Sequence, residues 1–420
     1  MNIVQELEKR KRLLKILHSP SNSEVYTPAE LVEEMLDKLP KEIWKNPDLK
    51  WVDPCAKSGI FILEVIIRLM KNLDIRDETL RNNDETLLYN HIINNMVTAY
   101  VNEERNKWVV SKMIYGDTSE VERVKLLEIN KIKEDMPKFD VVVGNPPYQG
   151  TGRKKLYINF IEKSFRILTP KGLLMFITPK LGLSFLCGQN ISQKRLSRLK
   201  QLELINVNDN IKQHFKGIGS DFCYFIAKNE DVKYSTVLLD KNGNKNKLMI
   251  SNKTVISFSG NIIETSILTK TINNKNEFKR TAARTTEFVK NGKYKVLYKI
   301  LTNNEEIKYT NILHKDHKKI KILWPTVGKR FIYDKNGELM PGTSFVVYIP
   351  FENFENFKLF ISSKLFKFLE NSFSGMRSPF DYIIKSIKKP TISSKWTNKK
   401  LYKFYNLTQE EIDYIESQVK

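Results

Sequence analysis

The 420-residue chain carries 70 Lys+Arg against 48 Asp+Glu, a formal net charge of +22. Hydrophobic residues at 41% and aromatics at 11% exclude a disordered or collagen-like chain and fit two or three globular units. The charge is uneven, with 22 basic and 25 acidic side chains in residues 1–150 but 48 and 23 in residues 151–420, as expected if the front handles a small molecule and the back a polyanion.

Apolar spacing predicts a helix over residues 3–17, then a second from Thr27 as N-cap, with Pro28 in its first turn, to about Leu39. From residue 50 short apolar strands alternate with amphipathic helices. Strands are expected at Lys50–Asp53, Met96–Val101, Lys112–Tyr115, Phe139–Gly144 and Leu173–Thr178, and helices at Gly59–Lys71, Glu103–Lys112 and Leu156–Leu168. This alternation implies an α/β fold, a parallel sheet covered by helices, which binds ligands beyond the carboxyl ends of its strands. After about residue 230 the rhythm is lost. Asn242-Gly243-Asn244 and Lys335-Asn336-Gly337 read as hairpin turns, and residues 352–420, rich in lysine and aromatics, read as helical. The expected domains are therefore 1–230 and 231–420.

Three widely spaced cysteines, Cys55, Cys187 and Cys223, fit a reduced cytoplasmic protein rather than a disulfide framework. Residues 1–17 are too charged for a secretory signal, and the best apolar run, Ile60–Met70, is broken by Glu64 and Arg68. A soluble protein with no membrane partner is expected.

Four features fall at expected strand ends. Asp53-Pro54-Cys55-Ala56-Lys57-Ser58-Gly59 is a strand-to-helix turn of small residues, open to a ligand's close approach and to anion binding at the helix N-terminus; taken alone it is also an ordinary connection. Glu103 can accept from two ribose hydroxyls, or simply start a helix. Asp117, after Gly116, can accept from an adenine amine, or belong to a common Asp turn. Asn145-Pro146-Pro147-Tyr148 is more specific. Neither proline supplies an N–H, the Pro146 carbonyl is held outward, and Asn145 with that carbonyl can accept both hydrogens of an exocyclic amine while Tyr148 stacks on the ring.

With those residues, about residues 24–230 resemble the amino-methyltransferases of bacterial restriction-modification systems, in the gamma-type motif order of N6-adenine enzymes. The resemblance implies a Rossmann-like class I methyltransferase domain followed by a mixed α+β target-recognition domain. It implies S-adenosyl-L-methionine as cofactor and site-specific methylation of a flipped-out adenine in double-stranded DNA. Tyr26 and Thr27 resemble the segment at the methionine carboxylate; Asp53, Cys55, Ala56, Ser58, Gly59 and Phe61 resemble the cofactor loop. Glu103 corresponds to the ribose ligand, Asp117 to the ligand of the cofactor adenine, and Asn145, Pro146, Pro147 and Tyr148 to the catalytic tetrad. Leu168-Thr169-Pro170-Lys171-Gly172 is also similar to the family, and Phe215 matches an aromatic that stacks on the target base opposite Tyr148. Lys57 departs from the family's usual glycine, either pointing harmlessly to solvent or crowding the cofactor.

The basic excess begins at Arg153, Lys154 and Lys155, placed to hold phosphates beside the target base. Lys315, Lys318, Lys319 and Lys321 form a second cluster around His314 and His317, where no third His or Cys completes a metal site. A separate cognate restriction endonuclease is an implied partner, and a bacterial or phage-encoded, nucleoid-associated protein the implied setting. No nuclease is legible, because Pro47-Asp48 lacks an acidic-x-Lys partner. The competing readings are an RNA or protein-glutamine amino-methyltransferase and a DNA-binding subunit silenced by Lys57.

Overall fold

The computed structural model describes residues 2–17, 26–73, 84–117, 119–127, 132–133, 135–148, 156–180, 200–215, 221–282, 285–301, 304–326, 330–350, 354–374, 376, 378–391 and 394–419. The chain forms two compact units, the first ending at Asn252 and the second continuing from Lys253.

The first unit is built on a nine-stranded sheet of order β3-β2-β1-β4-β5-β7-β6-β8-β9. Its strands are β1 (Trp51–Asp53), β2 (Val97–Val101), β3 (Lys125–Leu126), β4 (Phe139–Gly144), β5 (Leu168–Pro179), β6 (Lys200–Asn206), β7 (Phe222–Asp231), β8 (Thr236–Leu239) and β9 (Lys245–Leu248). From β3 through β5 the strands are parallel, whereas β7 runs antiparallel to both β5 and β6. Strands β1 and β4 are apolar and buried along most of their length, as continuous runs in a parallel sheet must be when helices cover both faces. Chain order reverses between β1 and β4, where Trp51 pairs with Val141 and Val52 with Val142. One residue further along, Asp53 ends β1, while β4 continues to Gly144.

Several expectations change. Residues 112–115 are not a strand but the end of the helix Glu104–Tyr115, which stops at Gly116 in the left-handed conformation (φ 79°). The short strand Lys125–Leu126 pairs with β2 instead. The second helix starts at Ala29 with Pro28 as its N-cap, so Thr27 does not cap it. Beyond residue 230 the sheet continues: β8 pairs with β6, and a hairpin through Gly243 (φ 88°) adds β9. The first unit therefore reaches Asn252, because Val237 and Leu239 bond to the edge of the same sheet.

The second unit holds β10 (Thr281–Ala282), β11 (Tyr294–Ile300), β12 (Glu305–Thr310), β13 (Lys321–Pro325), β14 (Ile332–Asp334), β15 (Leu339–Pro341) and β16 (Phe345–Tyr348). They form a sheet of order β10-β16-β13-β14 and another of order β12-β11-β15. Lys335-Asn336-Gly337 makes a turn, yet the strands on either side of it belong to different sheets, so no hairpin results. Helices Phe354–Ile361, Lys364–Ser372, Pro379–Ser386, Asn398–Phe404 and Gln409–Gln418 follow, and their Phe357, Phe360, Phe366 and Phe380 are core. No described helix is long and apolar enough to cross a membrane.

In the first unit, helix α1 (Ile3–Leu17) is tied to helix α2 (Ala29–Leu36) and helix α3 (Ile60–Asn72) by buried charge. Lys11 Nζ lies 2.8 Å from Glu64, 2.8 Å from Glu8 and 2.9 Å from Glu33. Glu64 is buried and also accepts from Arg68 at 2.9 Å, while Arg68 reaches Asp37 at 2.7 Å. Burial opposes the Lys11 charge, but three carboxylates hold the ammonium protonated above the ordinary lysine range. Removing one partner of a buried pair strands the other. Lys11→Met is expected to lower stability by about 3 kcal/mol in urea denaturation, and Lys11→Met with Glu64→Gln by less.

Candidate active site at the ends of β1 and β4

A cleft at the carboxyl ends of β1 and β4 brings together Tyr26, Thr27, Asp53, Cys55, Ser58, Gly59 and Phe61 with Asn145. These residues come from three separate stretches of chain, and the sheet order explains why they meet. Open parallel sheets leave a crevice where the strand order reverses.

The loop from β1 into α3 turns tightly. Asp53 Oδ1 accepts from the Cys55 N–H at 2.9 Å, and Gly59 takes the left-handed conformation (φ 78°) to start the helix. Lys57, which stands where the family usually has glycine, is not among the left-handed residues, so its side chain introduces no backbone strain. It is half-buried and lines the cleft. Gly144 matters more: a Cβ there would lie 2.7 Å from Asp53 Oδ1 and 3.3 Å from Cys55 Sγ.

Asn145 is buried, and its Nδ2 donates to Thr27 Oγ1 at 3.0 Å. This bond links the segment before α2 to the turn after β4. With the donor end committed to Thr27, the amide presents Oδ1 as the end for accepting hydrogen bonds. Tyr148 is half-buried, 5.3 Å from Phe222, and burial holds its phenol neutral, well above the ordinary tyrosine range. Phe222 also packs on Phe215 at 4.5 Å. Phe222 was not singled out from the sequence, where it reads only as the first apolar residue of a strand; in the structure it is the aromatic neighbour of Tyr148.

Other expected site residues are placed elsewhere. Phe215 is buried in the core, its ring 4.5 Å from that of Phe222. Glu103 stands at the start of the helix Glu104–Tyr115, half-exposed and 2.6 Å from Arg105, outside the cleft. Asp117 follows that helix; its carbonyl accepts from Ser111 Oγ at 2.7 Å and its carboxylate from the Ser119 N–H at 3.1 Å. Pro146 is buried and Pro147 half-buried beside Asn145, while Ala56 is buried in the β1–α3 turn. In the second unit Lys321 is fully buried, 2.8 Å from Asp334, and donates to the Lys319 carbonyl. Its role is in the fold, because a sequestered and neutralised ammonium cannot meet a phosphate. Lys319 pairs with Asp316 at 3.0 Å, whereas Lys315 and Lys318 line an open concavity. Arg153, Lys154, Lys155 and Cys187 lie outside the described residues.

The cleft suits a cationic ligand carrying an amine and a carboxylate. Asp53 supplies a carboxylate, the start of α3 supplies N–H groups, Phe61 supplies an aromatic face, and Gly144 supplies room a side chain would fill. The free space is about 20 Å³, and the half-buried Tyr26 and Lys57 are part of its lining.

Burial pushes the Asp53 carboxyl up to about 7, against the lowering effects of the Cys55 hydrogen bonds and of Lys57. The sign follows from linkage. Below the unfolded carboxyl pKa both states are protonated; as pH rises towards about 7 the unfolded state ionises first and folding loses stability; above that the loss is complete. Asp53→Asn keeps an acceptor for the Cys55 N–H and removes this cost. The stability difference between variant and parent is expected to grow in the variant's favour from pH 4 to pH 8, reaching roughly 3–5 kcal/mol. Denaturant melts across that range check it; a constant difference would show that Asp53 is ionised throughout.

Residues 6–215 match the model of the family described as Eco57I restriction-modification methylase. A Mycoplasma pneumoniae protein described as an uncharacterized adenine-specific methylase is 30% identical, over 52% of this chain and 70% of its own length. Among solved structures, the M protein of the EcoKI type I restriction enzyme is similar at 14% identity, with a TM-score of 0.39 over 52% of this chain and 48% of that one. The type ISP restriction-modification enzyme LlaBIII is similar at 14% identity, with a TM-score of 0.41 over 59% of this chain and 22% of that one. This chain thus spans half or less of those two solved proteins. With half of its residues matched by the family and a relative covered over most of its length, the chain belongs to the Eco57I restriction-modification methylase family.

Proposed function

We propose that this chain methylates the N6 amine of adenine in double-stranded DNA, with the base flipped out of the helix and Asn145, Pro146, Pro147 and Tyr148 around it. The observation that supports this reading is the cleft shared by Asp53, Gly59 and Asn145, with the Asn145 amide beside the β1–α3 turn in a chain of this methylase family. S-adenosylmethionine supplies an electrophilic methyl group; Asp53, Ser58, Gly59 and Phe61, with Tyr26 and Thr27, are the residues to hold it. Glu103 and Asp117 lie outside the cleft and would reach the ribose and adenine of the cofactor only if a bound molecule extends past it.

An aromatic amine is a weak nucleophile because its lone pair is shared with the ring. Accepting both amine hydrogens, on Asn145 Oδ1 and the Pro146 carbonyl, draws the lone pair back onto nitrogen and stabilises the positive charge that builds there. That interaction strengthens towards the transition state, which is what accelerates a reaction. Thr27 matters because it fixes which end of the Asn145 amide accepts. Tyr148 offers a stacking face that offsets the stacking lost on flipping.

Tritiated cofactor offered with DNA, RNA and protein acceptors tests the assignment; label confined to RNA or protein overturns it. Asn145→Ala is expected to lower transfer to DNA by about 10²–10³-fold, with cofactor binding by calorimetry nearly unchanged. Thr27→Val, which removes the hydroxyl that accepts from Asn145 Nδ2, is expected to lower turnover about tenfold, and Thr27→Ser to restore it.

A further inference from the structure

In the second unit the start of β11, the loop after β12 and the turn before β15 enclose a concavity of about 620 Å³. Lys293, Lys295, Lys315, Lys318, His314 and His317 line it, with Glu338 as the lone carboxylate of that lining. Among the described residues none of these four lysines makes an ion pair, although Lys319 and Lys321 beside them do. Like charges lining one concavity repel one another, and an anion held there relieves that cost.

The walls are fixed. The Lys318 N–H donates to the Gly337 carbonyl at 2.9 Å, and Gly337 (φ 71°) packs so closely that a Cβ would lie 2.5 Å from the Lys318 carbonyl carbon. His317 sets its ring edge-on to Tyr294 at 5.0 Å. His314 Nδ1 accepts from the Asp316 N–H at 3.2 Å, which leaves Nε2–H as the donor of a neutral ring. Burial, with Lys315, Lys321 and Lys319 nearby, holds that imidazole below its ordinary range against the opposing pull of Asp316. Beside these polar groups Leu313 is 58% and Ile312 49% exposed. An inorganic phosphate has no use for such an apolar rim. A sugar–phosphate chain, with phosphates separated by apolar edges, has use for both.

We propose that this concavity is where the second unit grips the backbone of duplex DNA, its lysines on successive phosphates and Leu313 against the sugars between them. The proposal rests on DNA being the substrate. It is tested with full-length Lys315→Gln/Lys318→Gln, whose replaced side chains are exposed and make no ion pair among the described residues, and whose melting temperature checks the fold. Duplex affinity is measured by fluorescence anisotropy over a range of salt. The slope of log affinity against log salt is expected to fall by about 1.8, two released counterion sites. An unchanged slope overturns the proposal. So does an unchanged slope accompanied by loss of nucleoside monophosphate binding, which would make the concavity a small-phosphate site. Parallel tritium transfer separates the two readings: DNA methylated with an unchanged slope defeats the concavity alone, and a lowered slope without DNA methylation defeats the enzymatic reading alone.

Discussion

Gly144 ends β4 without a side chain, and the approach of β1 and β4 at their carboxyl ends depends on that. A single methyl group would press on the Asp53 carboxylate and the Cys55 sulfur. Because the position is empty, Asp53 can sit against the strand while the next residue, Asn145, turns into the same cleft. The strand order supplies the crevice, and the missing side chain lets two functional groups share it.

Such sharing has an energetic cost, which the surrounding structure offsets. Asp53 is sequestered enough for its carboxyl to titrate near 7, so at neutral pH it weakens the fold that holds it. Asn145 is buried as well, but Thr27 satisfies its donor end. Helix α3, whose first turn forms one wall, is anchored at Glu64 to α1 and through Arg68 to the α2 end. Burial of an acid that its neighbour Lys57 only partly offsets at the cleft, and ion pairing of buried Glu64 farther along α3, is the distribution expected where local stability yields to function.

Much of this was legible in the chain because its signals are local. Continuous apolar runs marked β4 and β5, Asn-Gly marked the β8–β9 hairpin, and the Asn-Pro-Pro-Tyr turn after a buried strand marked the candidate site. What was not legible depends on distant partners. Thr27 before Pro28 has every local property of an N-cap, yet its hydroxyl is taken by Asn145, 118 positions away. Met113-Ile114-Tyr115 is as apolar as a short strand, and only Gly116 and the pairing of β2 with Lys125–Leu126 decide otherwise. The apparent boundary at 230 reflects a change in composition, while the sheet accepts two further strands because their backbone groups fit its edge.

The charge asymmetry shows the same distinction between composition and placement. Counting lysines gives the net charge but treats Lys321 and Lys315 alike. In the structure Lys321 is fully buried against Asp334, and neutralising it would disturb β13 and β14 rather than any ligand. Lys315 and Lys318, only three to six residues earlier, stand exposed at a concavity. Electrostatic attraction at long range sums over all of them, whereas a counterion is released only where an unpaired ammonium meets a phosphate. On the proposed reading the net charge governs how fast the duplex arrives, and the lysines that make no ion pair among the described residues govern where it is held.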